Sequence, residues 1–93
     1  MATDPKSLSP ALRAKTFTSF AADINLLADA NGGGDACRRI RVVSGGIVAC
    51  HFKDDPTTKV LIEYAAGDVD DVNLSKIGAS GDGTTATKIT VYW

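Results

Sequence analysis

Residues 36–53 constrain the fold more than any other stretch. Ala36-Cys37-Arg38-Arg39-Ile40-Arg41-Val42-Val43 and Ile47-Val48-Ala49-Cys50-His51-Phe52-Lys53 are strand-like runs that flank Ser44-Gly45-Gly46. Strand, glycine turn and strand together form a local hairpin signal. Both runs alternate. Ile40 and Val42 oppose Arg39 and Arg41, and Val48, Cys50 and Phe52 oppose Ala49, His51 and Lys53. A turn of Gly45 and Gly46 alone places Arg41 opposite Cys50, which mixes the faces. A three-residue Ser44-Gly45-Gly46 loop sets Val42 opposite Val48, Ile40 opposite Cys50 and Arg39 opposite His51. A slip of one residue inverts the pattern, so the three-residue loop is the expected register.

A chain of 93 residues makes one domain, expected to bury about 60–65% of its unfolded surface. Oligomerisation is a natural support for so small a core. The net charge of −1 gives no nucleic-acid or membrane signal. No apolar run is long enough to span a bilayer. Met1-Ala2-Thr3-Asp4-Pro5-Lys6 lacks the basic and apolar segments of a secretory signal, which predicts synthesis in the cytosol.

Residues 1–16 read as an N-terminal arm and 17–93 as a single β domain. Pro5 and Pro10 lie in the arm among few large apolar groups. Ser9 and Pro10 suit the start of one helical turn. The arm is either a disordered tail or a segment that orders on a partner. Residues 17–31 are ambiguous. Ala21 to Ala30 favours a helix by propensity, but Asp23, Asn25, Asp29 and Asn31 compete for backbone hydrogen bonds. The expected reading is an extended entry near Phe17–Phe20, then a loop or one or two helical turns.

Beyond the central runs, Asp54-Asp55-Pro56-Thr57-Thr58 reads as a turn. Lys59 to Ala65 is a strand with Val60, Ile62 and Tyr64 on one face. Asp70 to Ile77 is a weaker, bulged strand, and Gly78 to Gly83 a turn. Thr84 to Trp93 is a final strand with Ile89, Val91 and Trp93 on one face. Short strands with turns every eight to twelve residues predict an all-β fold, a small antiparallel β-sandwich or barrel (jelly-roll-like) with an extended N-terminal arm. The Trp93 ring packs either on a neighbouring subunit or in the domain's own core.

No catalytic or metal motif stands out. His51 is the only histidine, and Cys50 beside it points to the opposite strand face, so a surface or interface histidine is the default reading. Cys37 and Cys50 lack the paired Cys-x-x-Cys spacing of structural zinc. They read as two small buried thiols rather than a disulfide. Asp68, Asp70 and Asp71 fail the calcium-loop pattern, because Val72 and Asn73 occupy its fifth and sixth positions. Gly78 to Thr85 lacks the Gly-Lys-Ser/Thr ending of a phosphate loop. Arg38, Arg39 and Arg41 form a basic stripe, and six acidic residues from Asp54 to Asp71 follow it. The stripe is either a solvated mixed-charge face or one side of a contact in which the basic strand of one subunit meets an acidic loop of the next.

The C-terminal stretch Gly83-Thr84-Thr85-Ala86, with the strand ending at Trp93, resembles the ending of the small spike-base proteins of tailed-phage heads and gene transfer agents. Arg39 to Val43, Gly45-Gly46 and Ile47-Val48 fit that family's glycine-centred hairpin, and Asp23 its Asp-containing loop. The Asp54–Thr58 turn and the cysteines depart from it. The resemblance implies a non-enzymatic virion component with no cofactor, made in the bacterial cytoplasm. It would form a homo-oligomeric ring on the capsid protein and support a spike or tail fibre protein. A head-to-tail contact repeated about an axis closes such a ring. The interface candidates are then Arg38, Arg39, Arg41, Tyr92 and Trp93, the aromatic pair as anchors. Alternatives are a capsid decoration protein, a tail-fibre adaptor, or a free sugar- or peptide-binding module.

Overall fold

The computed structural model describes residues 13–28 and 35–93. These residues form two antiparallel four-stranded sheets, the expected all-β sandwich. Its strands are β1 (Ala14–Phe17), β2 (Ile24–Asn25), β3 (Arg39–Val42), β4 (Gly46–Phe52), β5 (Asp55–Tyr64), β6 (Asp68–Asp70), β7 (Leu74–Ile77) and β8 (Ile89–Tyr92), with a 3-10 turn at Ser80–Asp82. Sheet A runs β1-β8-β3-β6, and sheet B runs β2-β7-β4-β5.

The alternation of the central runs predicts their inward faces correctly. Ile40, Val42, Val48 and Cys50 are all fully buried in one cluster. The expected hairpin does not form. β3 pairs with β6 and β8, whereas β4 pairs with β5 and β7. Ser44-Gly45-Gly46 is therefore a corner between sheets, and neither hairpin register exists. Gly45 and Gly46 take φ of 71° and 115°, a region open to glycine and strained for other residues. A Cβ at Gly45 would lie 2.8 Å from the Ala66 nitrogen. The corner lets two apolar rows face one another across the sandwich instead of lying side by side on one surface.

Three more segments depart from expectation, the first two because the chain crosses between sheets. The stretch read as one bulged strand over 70–77 is two strands, β6 in sheet A and β7 in sheet B. The final run is a strand only at Ile89–Tyr92. Its start, Thr84 to Ala86, lies along β4 of sheet B. The Thr84 hydroxyl accepts from the Ala49 N–H (3.0 Å) and donates to the Gly78 carbonyl (2.7 Å). Thr85 Oγ1 accepts from the Ile47 N–H (2.8 Å), and the Thr85 and Ala86 N–H groups donate to the Ile47 carbonyl (2.8 and 3.2 Å). The Asp54–Thr58 turn shrinks to Lys53-Asp54, and β5 starts at Asp55 with Pro56 inside it. Pro is tolerated there because β5 is an edge strand.

No helix forms over residues 21–28. Asn25 Oδ1 accepts from the Leu27 N–H (3.0 Å), the local competition that its residue type predicts. Ile24 and Leu26 are buried in alternation. Residues 29–34 lie outside the described residues, as do residues 1–12 of the predicted arm. Sheet A takes in the last three residues of that arm, because β1 starts at Ala14 and pairs with β8.

Asp23 pins the 78–82 loop. Its Oδ1 accepts from the Ala79 N–H (2.8 Å), and Lys76 Nζ stands 3.5 Å from Oδ2. The backbone hydrogen bond, with help from Asp82 and Lys76, holds its carboxyl below the ordinary 3.8. A depressed carboxylate stabilises the fold above its unfolded value, and the contribution fades as pH falls through the folded one. The protection factor of the Ala79 amide against hydrogen exchange should therefore drop in Asp23→Ala at neutral pH, and in the wild type only on acidification below 3.8. Gly45→Ala should lower the unfolding free energy by about 2 kcal/mol in urea titration, through left-handed strain and the Ala66 contact. Gly81→Ala, with nothing within 4 Å of its Cβ, should leave it nearly unchanged.

Candidate functional site

Three of the five interface candidates share one surface. Residues directly opposite in a sheet share a face. Arg39 lies opposite Tyr92, and Arg41 lies opposite Thr90 on one side and Val69 on the other. Ile40, Val42, Ile89 and Val91, the intervening residues, are fully buried. The outer face of sheet A thus presents Arg39, Arg41, Val69, Thr90 and Tyr92. Thr16 of β1 joins them, its hydroxyl 2.9 Å from that of Thr90. Val69 is 57% exposed. β-Branched residues and arginines interleave because the strand period sends every second residue outward.

The charges of this face are only partly available. Arg39 Nε donates to Asp71 Oδ1 at 2.7 Å. Both groups are about two-fifths exposed, so the pair contributes at most about 1 kcal/mol, but it commits the Arg39 cation within its own chain. Of the two readings of the basic stripe, the mixed-charge face is seen at Arg39, whose partner Asp71 belongs to the same chain. Arg41 is exposed and makes no ion pair among the described residues. Arg38 precedes β3, and its N–H donates to the Tyr92 carbonyl (2.9 Å). Its side chain is half-buried and does not belong to the face.

Trp93 is not an interface anchor. Its ring is buried in the domain's own core, and its Nε1 donates to the Leu26 carbonyl at 3.2 Å and the Asp35 carbonyl at 2.9 Å. The inward row of Ile89 and Val91 carries it there. His51 is likewise not a surface residue. It is 93% buried by its 7% exposure, and its Nδ1 lies 2.9 Å from the Pro56 carbonyl. The cause is a register break. Cys50 pairs with Val60 but Phe52 with Asp55, so residues 56–59 of β5 bulge beside this single histidine.

Each acid of the 68–71 cluster takes a different partner. Asp68 Oδ2 accepts from the Ala65 N–H (2.8 Å), Asp70 Oδ2 from the Tyr64 hydroxyl (2.6 Å), and Asp71 from Arg39. The Tyr64–Asp70 bond ties sheet B to sheet A beside Cys50. Burial, and then the Asp70 hydrogen bond, push the Tyr64 hydroxyl well up. Burial, and then the Asp70 charge, push the Cys50 thiol up to about 12. Cys37 and Cys50 are buried thiols, not a disulfide, as their residue type predicts.

The sequence reading missed one surface. β5 is ten residues long and, among the described residues, pairs with β4 alone, which leaves its outer edge without a strand partner there. Val60 and Leu61 on it are 38% and 53% exposed. Pro56 was the available signal, because Pro inside a strand run marks an edge strand. No known protein family, curated protein or solved structure matches the chain.

Two buried acids that stay protonated in the native state predict alkaline instability. Their contribution is whole below the unfolded values and is lost as pH rises through the folded ones. Unfolding free energy should fall between 9.0, the ordinary thiol value, and about 12. Urea titrations across that window should show a shallower fall for Cys50→Ala. At neutral pH both thiols should resist a thiol reagent until the chain unfolds.

Proposed function

We propose that this chain is a non-enzymatic structural protein of a phage or gene-transfer-agent particle. On this reading it is the subunit of a homo-oligomeric ring that forms the base of a capsid head spike. The ring sits on the capsid protein and supports a fibre or receptor-binding protein. The observation that carries the proposal is the outer face of sheet A, where the exposed Arg41 and Val69 stand beside Tyr92 on a rigid, hydrogen-bonded platform. A ring contact is heterologous and needs two unlike patches on each subunit. The exposed Asp54 at the β4–β5 turn, which makes no ion pair among the described residues, supplies a complement to Arg41. The Gly83-Thr84-Thr85-Ala86 resemblance supports the same reading.

The function so proposed involves no bond breaking. Assembly draws on buried area at the platform and on charge complementarity, which sets orientation and register more than affinity. The aromatic ring of Tyr92 and the apolar Val69 supply the area, and Arg41 the direction.

Native mass spectrometry over a range of concentrations tests this. A discrete oligomer that survives dilution is expected, and its copy number names the symmetry. Arg41→Glu should reduce its population while leaving the folded monomer intact by circular dichroism. A form lacking residues 1–12 that keeps the oligomer would assign the arm to docking on the capsid. A single-subunit mass at every concentration would overturn the proposal.

A further inference from the structure

We infer that two copies of this chain pair through the C-terminal half of β5, antiparallel about a two-fold axis midway between their Leu61 residues. The pairing would join two sheets B into one continuous eight-stranded sheet. It rests on the reading that the chain assembles with itself, and it names a contact separate from the ring contact on sheet A.

The edge itself points to a strand as its occupant. An open edge presents unpaired N–H and C=O groups, a template for another strand. Natural edges are commonly guarded by Pro, Lys and bulges. β5 carries such guards in its first half, at Pro56, at Lys59 and in the bulge before Val60. From Val60 to Tyr64 it pairs in unbroken register with β4, so its outer edge is regular there. Val60 and Leu61 lie in this half, which has no Pro, Lys or bulge and one charge, Glu63.

The sequence of that half selects the occupant. A two-fold axis normal to a sheet keeps each side chain on its own face, so one residue must face its own copy across the axis. Centred on Leu61, the pairing sets Lys59 opposite Glu63 of the second copy, Val60 opposite Ile62, and Leu61 opposite itself. Lys59 and Glu63 make no ion pair among the described residues, and symmetry uses each of them once, giving two opposite-charge pairs. Centred on Val60, the same edge sets Thr57 opposite Glu63 and Lys59 opposite Leu61. Centred on Ile62, it sets Leu61 opposite Glu63. Only the Leu61 register matches charge with charge and apolar with apolar, and cross-strand pairs of these kinds are the unit of sheet stabilisation.

A charge-exchange cycle tests the pairing. Lys59→Glu and Glu63→Lys each place like charges opposite one another twice, and each should weaken the dimer about tenfold. The double variant restores opposite charges and should recover wild-type association, with the difference shrinking as salt rises. Sedimentation and native mass spectrometry read the association, and circular dichroism checks the fold, since both side chains are exposed. Under a mild oxidant, Leu61→Cys should cross-link to a dimer, and Ser19→Cys, exposed and outside both proposed contacts, should do so far less. If the singles leave association unchanged, or the double falls as far as they do, the pairing is overturned while the assembly reading stands. A wild-type monomer at every concentration overturns both.

Discussion

Enclosure of β4 is the condition on which the other contacts depend. Val48, Ala49, Cys50 and His51 are four consecutive buried residues, so this strand is covered on both faces and needs partners on both edges. A buried N–H or carbonyl without a partner would cost about 1–3 kcal/mol. β5 serves one edge along its length. β7 serves the other only from Cys50 onward, and the 78–86 loop continues the line. Its threonine hydroxyls accept from the Ala49 and Ile47 N–H groups where a strand would offer carbonyls. A Cβ at Gly78 would lie 2.9 Å from the Ala49 side chain, which shows how closely this loop approaches. The loop returns the chain to sheet A at β8, so the arrangement that satisfies β4 also fastens the two sheets together.

Periodicity in the sequence revealed which side chains turn inward but not which strands are neighbours. Ile40, Val42, Val48 and Cys50 would be buried in a hairpin with a cover and are buried in the sandwich, so alternation alone cannot distinguish the two. The corner at Gly45 is set by its close approach to Ala66, a residue about twenty positions away, and no local pattern reports such a contact. The same limit applies at Asp71 to Asn73, where one apparent strand divides between sheets. His51 illustrates a different gap. Its placement depends on a bulge in β5, and bulges leave weak traces in sequence. Trp93 was legible as a packed ring, but the choice between its own core and a neighbour depended on carbonyls at Leu26 and Asp35 that only the fold brings together. In the candidate site, Arg39, Arg41 and Tyr92 were legible as outward-facing residues. The pairing of Arg39 with Asp71 was not.

The Gly83-Thr84-Thr85-Ala86 stretch has a physical explanation within this fold. Gly83 takes a φ of 116°, Thr84 is buried with both hydrogen-bonding roles of its hydroxyl used, and Thr85 caps Ile47. Ala86 is buried and its backbone lies against Gly46, where a Cβ would be 3.0 Å from the Ala86 nitrogen. The four residues therefore encode a way of closing a small sandwich. A likeness at these positions speaks first to architecture. Information about partners has to come from residues that the architecture leaves free to vary, and these are the outer face of sheet A and the edge of β5.

Those two surfaces differ in how they are prepared for binding. Tyr64, the last residue of β5, is tied to Asp70 across the sandwich, and the strand before it is laddered to β4 without interruption from Val60. Its open edge is therefore held in an extended conformation before any partner arrives, which reduces the ordering cost of association. The platform on sheet A is equally rigid in its backbone, but its long arginine side chains lose rotamer freedom on contact. A domain of this size has little core from which to draw stability. A preorganised edge adds buried area and backbone hydrogen bonds at low entropic cost, and it lies on the sheet whose central strand most needs to stay covered. In this fold, self-association through β5 would stabilise the same β4 enclosure on which the monomer depends.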